Sequence, residues 1–158
     1  MSRIAEQMKR YNYLVSEIDA AYHWAANKLG LSDSAMQVLY TVCFFGGSCL
    51  LSDIYQLSGV SKQTINSSLR KLEAGGYVRL ETHRGLRKAV FFTEAGKEKA
   101  ENTVAKIIEL ENRVFHSWPE EDREKYLELT KRYLNDFREG VRQFEYAPGE
   151  GAPKKESL

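Results

Sequence analysis

The chain opens on a helical repeat. Ile4, Met8, Tyr11, Val15, Ile18, Tyr22, Ala25 and Leu29 recur at steps of four and three, with no Gly or Pro until Gly30, which predicts one long amphipathic helix from about residue 4 to 29. Tyr13, Leu14 and Trp24 lie off that stripe. So much apolar surface exceeds what one helix face covers in a small domain and marks the helix as a candidate subunit interface; partly exposed aromatics are the plainer reading. From Asp33 to Phe45 the pattern is apolar nearly all round, through Ala35, Met36, Val38, Leu39, Val42, Cys43 and Phe45. That is the pattern of a central core helix, with Ser32 as its N-cap and Gly46-Gly47 at its end.

The spacing then shortens. Ser52 to Leu57 predicts a short helix, with Ile54 and Leu57 on one side and Gly59 as its stop. Ser61 stands as the N-cap of a second helix, whose inward residues Ile65, Leu69 and Leu72 follow until Gly75-Gly76. Two helices across so tight a turn make a helix-turn-helix. Tyr77–Glu81 and Ala89–Thr93 are β-prone runs separated by Thr82–Lys88, which predicts a hairpin with a basic tip. Ala100, Val104, Ile107, Ile108, Val114 and Phe115 predict a second long helix over Glu94–Ser117. Ser117-Trp118-Pro119-Glu120-Glu121-Asp122 marks its end, offering a Ser117–Glu120 capping box, an early-turn proline and an acidic first turn for the next helix. That last helix runs to about Glu145 through Tyr126, Leu127, Leu129, Thr130, Tyr133, Leu134, Phe137, Val141 and Phe144, again too many apolar positions for one stripe. Both ends of the chain are therefore expected to be interfacial. Pro148–Leu158 has nothing to bury and is expected to be a flexible tail.

Composition narrows the classes. A chain of 158 residues, 42% hydrophobic and 28% charged, fits one globular domain, here 1–146 with 147–158 as tail. No apolar run approaches the roughly 18 residues of a membrane span, and the first residues lack the apolar core of a signal peptide. A cytoplasmic protein without membrane association is expected. Cys43 and Cys49 suit a reducing compartment, as small apolar side chains. His23, His83 and His116 lie far apart with no metal or triad motif beside them, so neither an enzyme, a metal site nor a cofactor is expected. His23 and Cys43 could meet across two helices, and a packed core pair is the simpler account of them.

Charge adds what the net value hides. Between Ser61 and Thr93, seven basic residues (Lys62, Arg70, Lys71, Arg79, Arg84, Arg87, Lys88) face two acids (Glu73, Glu81), so this stretch carries +5 and the remainder −4 against +1 overall. On the second helix of the helix-turn-helix, the inward stripe leaves Lys62, Gln63, Asn66, Ser67, Arg70 and Lys71 outward. Gln and Asn can pair bidentately with adenine and Arg or Lys with guanine, while Ser and Thr hydroxyls hold phosphates. A solvated helix face is the ordinary reading of such residues; the cationic hairpin beside it changes the balance. Together they can place a helix in the major groove and an arginine in or beside the minor groove. Gln63, Asn66, Ser67 and Arg70 are the candidates for base edges. Ser61 at the helix start, Lys62, Thr64, Arg84, Arg87 and Lys88 are the candidates for phosphates or the minor groove. The rival is a winged helix that docks protein, for which a tip of apolar or mixed charge is expected.

VSKQTINSSLRKLEAGGYV, a short wing and FFTEAG resemble the MarR (multiple antibiotic resistance regulator) family of winged-helix transcription factors, through Ser61, Gln63 and Thr64, then Leu72, Glu73 and Gly76, then Thr93 and Gly96. The likeness runs over nearly the whole chain. It departs at the wing: many members carry Asp-x-Arg before the second wing strand, the Asp orienting the Arg, whereas His83-Arg84-Gly85-Leu86-Arg87-Lys88 has no Asp. Arg84 and Arg87 both remain candidates for the inserted arginine. The resemblance implies a mainly α fold with a small β-hairpin wing, a DNA-binding lobe over about 48–96 and dimerisation helices over about 4–29 and 97–145. It further implies a homodimeric repressor of a pseudo-palindromic operator in double-stranded DNA. Such regulators often bind a small aromatic or amphipathic effector between the first two helices and the helix after the wing. Tyr11, His23, Trp24, Asn27, Tyr40, Cys43 and Phe44 are the candidates here, though aromatics at helical spacing are commonly core.

Overall fold

The computed structural model describes residues 2–83, 85 and 87–145, apart from the side chains of His83 and Arg87. In chain order the elements are α1 (Arg3–Lys28), α2 (Asp33–Phe44), β1 (Ser48–Leu50), α3 (Leu51–Ser58), α4 (Lys62–Ala74), β2 (Val78–His83), β3 (Arg87–Phe92), α5 (Glu94–Asn102), α6 (Val104–His116) and α7 (Glu120–Arg142). The fold is mainly α with a small antiparallel sheet, a winged helix-turn-helix. Two compact units divide it, Met1–Asn112 and Arg113–Leu158.

The first unit is built round α2. Val38, Leu39 and Val42 lose all solvent contact and pack with Ile54 of α3, Ile65 and Leu69 of α4, Val90 of β3 and Val104 of α6. Thr41, equally buried, donates its hydroxyl to the carbonyl of Gln37 at 2.8 Å, which satisfies it within this core. The local signals act as expected. Ser32 Oγ accepts from Ala35 N–H and Ser61 Oγ from Thr64 N–H, each at 3.2 Å. Gly59 ends α3 in the left-handed region at φ 61°, where a side chain would be strained.

The sheet has the order β1-β3-β2. The hairpin strands run further than Tyr77–Glu81 and Ala89–Thr93, because cross-strand pairing continues through Thr82↔Lys88 to His83↔Arg87. β1, which no apolar pattern announces, pairs Ser48↔Phe91, Cys49↔Val90 and Leu50↔Ala89 along the other edge of β3.

The helix expected over Glu94–Ser117 is instead two. It breaks at Thr103, at φ −128° and ψ −91°. Thr103 Oγ1 donates to Lys99 O at 2.6 Å and Asn102 Nδ2 to Glu98 O at 2.9 Å. Side chains that bond back to the preceding turn compete with the helix ladder, and α6 restarts with a tight Lys106 N–H to Thr103 O bond of 3.0 Å. Val104 and Ile107 of α6 are buried in the core.

In the second unit the expected Ser117–Glu120 capping box is absent. Ser117 Oγ donates to Val114 O at 2.6 Å, and Pro119 takes the N-cap position without a side-chain cap bond. Glu120, Glu121 and Asp122 do occupy the first turn of α7, against the positive end of its dipole. Arg123 closes the corner, donating through Nη1 to Trp118 O at 2.6 Å and to Phe115 O at 3.3 Å. Over it Phe115, Trp118 and Tyr126 form an aromatic cluster with centroids 5.2 to 6.0 Å apart.

The terminal helices carry the largest departure from a self-contained core. Only Ala26 of α1 is buried, and of the predicted stripe Ile4, Tyr11, Val15, Ile18 and Tyr22 stand open, with Ile4 at 71% and Ile18 at 51%, while Ala25 and Leu29 pack against the core. No residue of α7 is buried, and Leu127, Leu129, Tyr133, Leu134, Phe137 and Val141 are exposed. The expected tail from Pro148 lies outside the described residues.

Candidate nucleic-acid interface

α4 is anchored by Ile65, Ser68, Leu69 and Leu72, all buried. That stripe turns Lys62, Gln63, Thr64, Ser67, Arg70 and Lys71 to solvent. At its start the Ser61 and Thr64 hydroxyls lie 2.8 Å apart, beside the cap bond that Ser61 Oγ makes to Thr64 N–H. Asn66 is placed differently from its outward neighbours. It is half-buried, and its Oδ1 accepts a proton from Tyr55 of α3 at 2.7 Å. Its NH₂ and the second lone pair of Oδ1 are left for a base, so a donor-and-acceptor pairing with adenine must share Oδ1 with the Tyr55 hydroxyl or displace it. Lys62 Nζ lies 5.7 Å from the Tyr55 ring centroid, so one tyrosine holds both residues where α3 meets α4.

The wing follows from the same unit. Lys88 is exposed on β3. Arg79 is committed within the wing, with Nε 2.7 Å from Glu81 Oε1 and its guanidinium 5.0 Å from the Phe91 ring centroid. Of the two candidate wing arginines, Arg84 lies outside the described residues. Arg87 opens β3 opposite His83, and its side chain is outside them too. At the wing root Thr93 N–H bonds to Tyr77 O at 3.1 Å, and Thr93 Oγ1 caps α5 by accepting from Gly96 N–H at 3.0 Å.

A cavity of about 420 Å³ opens elsewhere in this unit, among α1, α2 and α6. His23 and Tyr40 line it; Tyr11, Trp24, Asn27, Cys43 and Phe44, also expected there, do not. Trp24 is exposed under Lys28 Nζ, Phe44 is exposed beside Phe45, and Asn27 donates to His23 Nε2 at 3.0 Å. The residues that the sequence reading missed are Asp19, Tyr22, Asp33, Met36, Gln37 and Glu111. Tyr40 donates to Glu111 Oε2 at 2.6 Å, and Tyr22 donates to Oε1 of the same carboxylate. Burial, and next the Glu111 carboxylate, push the Tyr40 hydroxyl well above the usual tyrosine range. His23 is no core residue: it is exposed and holds Asp33 through Nδ1 at 2.8 Å, so the packed His23–Cys43 pair does not form. Among the described residues no group of three or more His, Cys, Asp or Glu is placed to hold a metal ion, and no helix is long and apolar enough to cross a membrane.

Residues 29–89 match the model of the MarR family. That segment holds α2, β1, α3, α4, β2 and the start of β3. Among solved structures, a MarR family regulator from Neisseria meningitidis superposes with a TM-score of 0.68 at 21% identity, covering 89% of this chain and 96% of that one. A MarR family transcriptional regulator from Silicibacter pomeroyi gives 0.62 at 20%, covering 80% and 86%. Reduced AbfR, in a structure bound to DNA, gives 0.55 at 20%, covering 85% and 94%. No curated protein matches the chain. The matched segment contains the Ser61–Gly76 stretch that carries the resemblance, and the fold is the winged helix of MarR family transcriptional regulators.

Proposed function

We propose that the protein is a cytoplasmic, sequence-specific DNA-binding regulator that acts as a homodimer, represses from a pseudo-palindromic operator and has no catalytic role. One observation carries the reading. The exposed face of α4 is wholly polar, through Gln63, Thr64, Ser67 and Arg70, on a helix held by buried Ile65, Leu69 and Leu72, with the cationic Lys88 on the adjoining wing. Such a helix presents hydrogen-bonding groups to base edges, and the wing adds attraction to phosphates. That AbfR, of the same fold, has been seen bound to DNA supports it. Residues 48–96 then form the DNA-binding lobe, and the apolar faces of α1 and α7 each pair with a second copy. A two-fold dimer requires half-sites about one helical turn apart.

The acidic cavity is the place for an effector. Asp19, Asp33 and Glu111 line it together with Tyr22, Tyr40 and Met36. A small aromatic or amphipathic ligand with a donor or cationic end matches that lining, and its entry would act on the Glu111 carboxylate that Tyr22 and Tyr40 share.

The test is operator selection from random duplexes, followed by insertion of about five base pairs between the half-sites, about half a helical turn. Affinity should collapse to the nonspecific level. Unchanged affinity would show that the two α4 helices do not act together. Failure to select any duplex, with no dependence of binding on salt, would favour a protein-docking winged helix instead.

A further inference from the structure

One flank of α4 turns toward the first turn of α2 and bounds a second cleft, of about 380 Å³. Ser32, Ser34, Gln63, Thr64, Ser67, Ser68 and Lys71 line it. Every lining side chain is polar, and the one charge is positive.

Two independent observations concern the residues around this cleft. At the start of α2, Ser32 Oγ takes the N–H of Ala35 and Ser32 O takes that of Met36 at 2.9 Å. The N–H groups of Asp33 and Ser34 have no acceptor among the described residues, at the positive end of a 12-residue helix. Separately, Ser68 is 5% exposed, and its hydroxyl has no hydrogen-bond partner among the described residues. No sealed side-chain oxygen is left unsatisfied, so the opening that Ser68 Oγ retains is the cleft that it lines. A buried hydroxyl kept unpaired is costly unless something fills its partner's place. Asp33 is the carboxylate nearest in sequence that could repel an anion. Its oxygens are taken by His23 Nδ1 at 2.8 Å and line the acidic cavity instead.

We propose that the cleft seats one phosphodiester oxyanion of the DNA backbone. The N–H groups of Asp33 and Ser34 and the hydroxyls of Ser34, Ser67 and Ser68 donate, and Lys71 supplies the charge. The assignment rests on the DNA-binding reading and extends it to residues on α2. A helix about 10–12 Å across fills a major groove about 12 Å wide, so a base-facing α4 has its flanks against the sugar-phosphate strands. Thr64, Ser67 and Lys71, three and four residues apart, form such a flank. The contact carries no sequence information and fixes the register in which Gln63 and Arg70 meet bases.

The experiment uses the full-length protein with Lys71→Ala and Ser34→Glu, each checked for wild-type circular dichroism, in salt titrations on operator and scrambled duplex. Lys71→Ala should reduce the log K against log[salt] slope by about one unit on both duplexes. Ser34→Glu should weaken both by about tenfold or more at about 100 mM salt, with base preference kept. In parallel, inorganic phosphate should shift the Ser34 and Ser68 amide resonances saturably in the wild type and not in Ser34→Glu. A wild-type slope for Lys71→Ala overturns the seat and leaves the DNA reading standing. A reduced slope with wild-type binding by Ser34→Glu also overturns it, since Lys71 then acts without the cleft. If the wild type binds no duplex, the DNA reading falls and the phosphate arm decides alone: saturable shifts keep a free-oxyanion site, and their absence removes it.

Discussion

A Cβ added to Gly96 would stand 1.9 Å from the carbonyl oxygen of Tyr77. That carbonyl already accepts the N–H of Thr93 at 3.1 Å, and Thr93 Oγ1 in turn caps α5 through Gly96 N–H. The Thr-x-x-Gly motif is thus a geometric requirement: only a residue without a side chain lets the first turn of α5 lie against the wing root. Gly96→Ala should destabilise the protein by about 2 kcal/mol or more, because the obstacle is backbone and cannot rotate away. The check is a fall in the urea midpoint; an unchanged midpoint would mean that the root relaxes freely.

Tyr55 holds the Asn66 amide from α3. Tyr55→Phe should cost about 1 kcal/mol of stability through the lost bond. It should also alter operator affinity more than affinity for scrambled duplex, since it changes how Asn66 is presented to bases. Equal effects on the two duplexes would place Asn66 outside base recognition.

Arg70 and Lys88 should separate by signature. Arg70→Ala should cost about 1 to 3 kcal/mol on the operator and relax one base position. Lys88→Ala should weaken operator and scrambled duplex alike and flatten the salt slope by about one unit. Wild-type slopes for Lys88→Ala, Arg84→Ala and Arg87→Ala would remove the wing from the DNA interface.

Light scattering should give twice 18.1 kDa. Ile18→Asp on α1 and Phe137→Asp on α7 should each shift the protein to monomer at micromolar concentration, because each places a charge on an apolar face left open by its own unit. A wild-type monomer, or a dimer untouched by both changes, would rule out these faces as the interface.

Cys49 lies on β1 with its side chain buried, and burial, followed by the Asp53 charge, pushes its thiol up to about 12. The unfolded thiol ionises near pH 8.5. Below that pH both states hold the proton and the contribution to stability is constant; above it the unfolded chain loses the proton first, so stability falls as pH rises toward 12. Urea midpoints should therefore decline between about pH 8.5 and 10.5, less steeply in Cys49→Ala. Identical slopes in the two proteins would show that the thiol does not contribute.

How far the sequence reaches can be judged from α4 and from the cavity. The inward stripe Ile65, Leu69 and Leu72, the cap at Ser61 and the glycine at 59 identify the helix-turn-helix because each acts within four residues of chain. The outward polar face follows by subtraction. The cavity had no such signal: Tyr40 and Glu111 meet across 71 positions, and His23, read as packed, turns out to hold Asp33 at the surface.

By itself the sequence determined the helical periods, the cap residues, the charge concentrated between Ser61 and Thr93 and the excess of apolar positions in the terminal helices, since these depend on neighbours three or four residues away. Tertiary structure decided the rest. β1 is only Ser48–Leu50 and exists because the edge of β3 supplies its partners. The turn at Thr103 arises where side chains bond back to Lys99 and Glu98 while Val104 and Ile107 reach the core. Tyr55 draws Asn66 from the outward face, and the first turn of α2 meets the flank of α4 to make a polar cleft. Each of these joins groups whose separation is set by how the elements pack, a quantity that no local spacing of residues encodes.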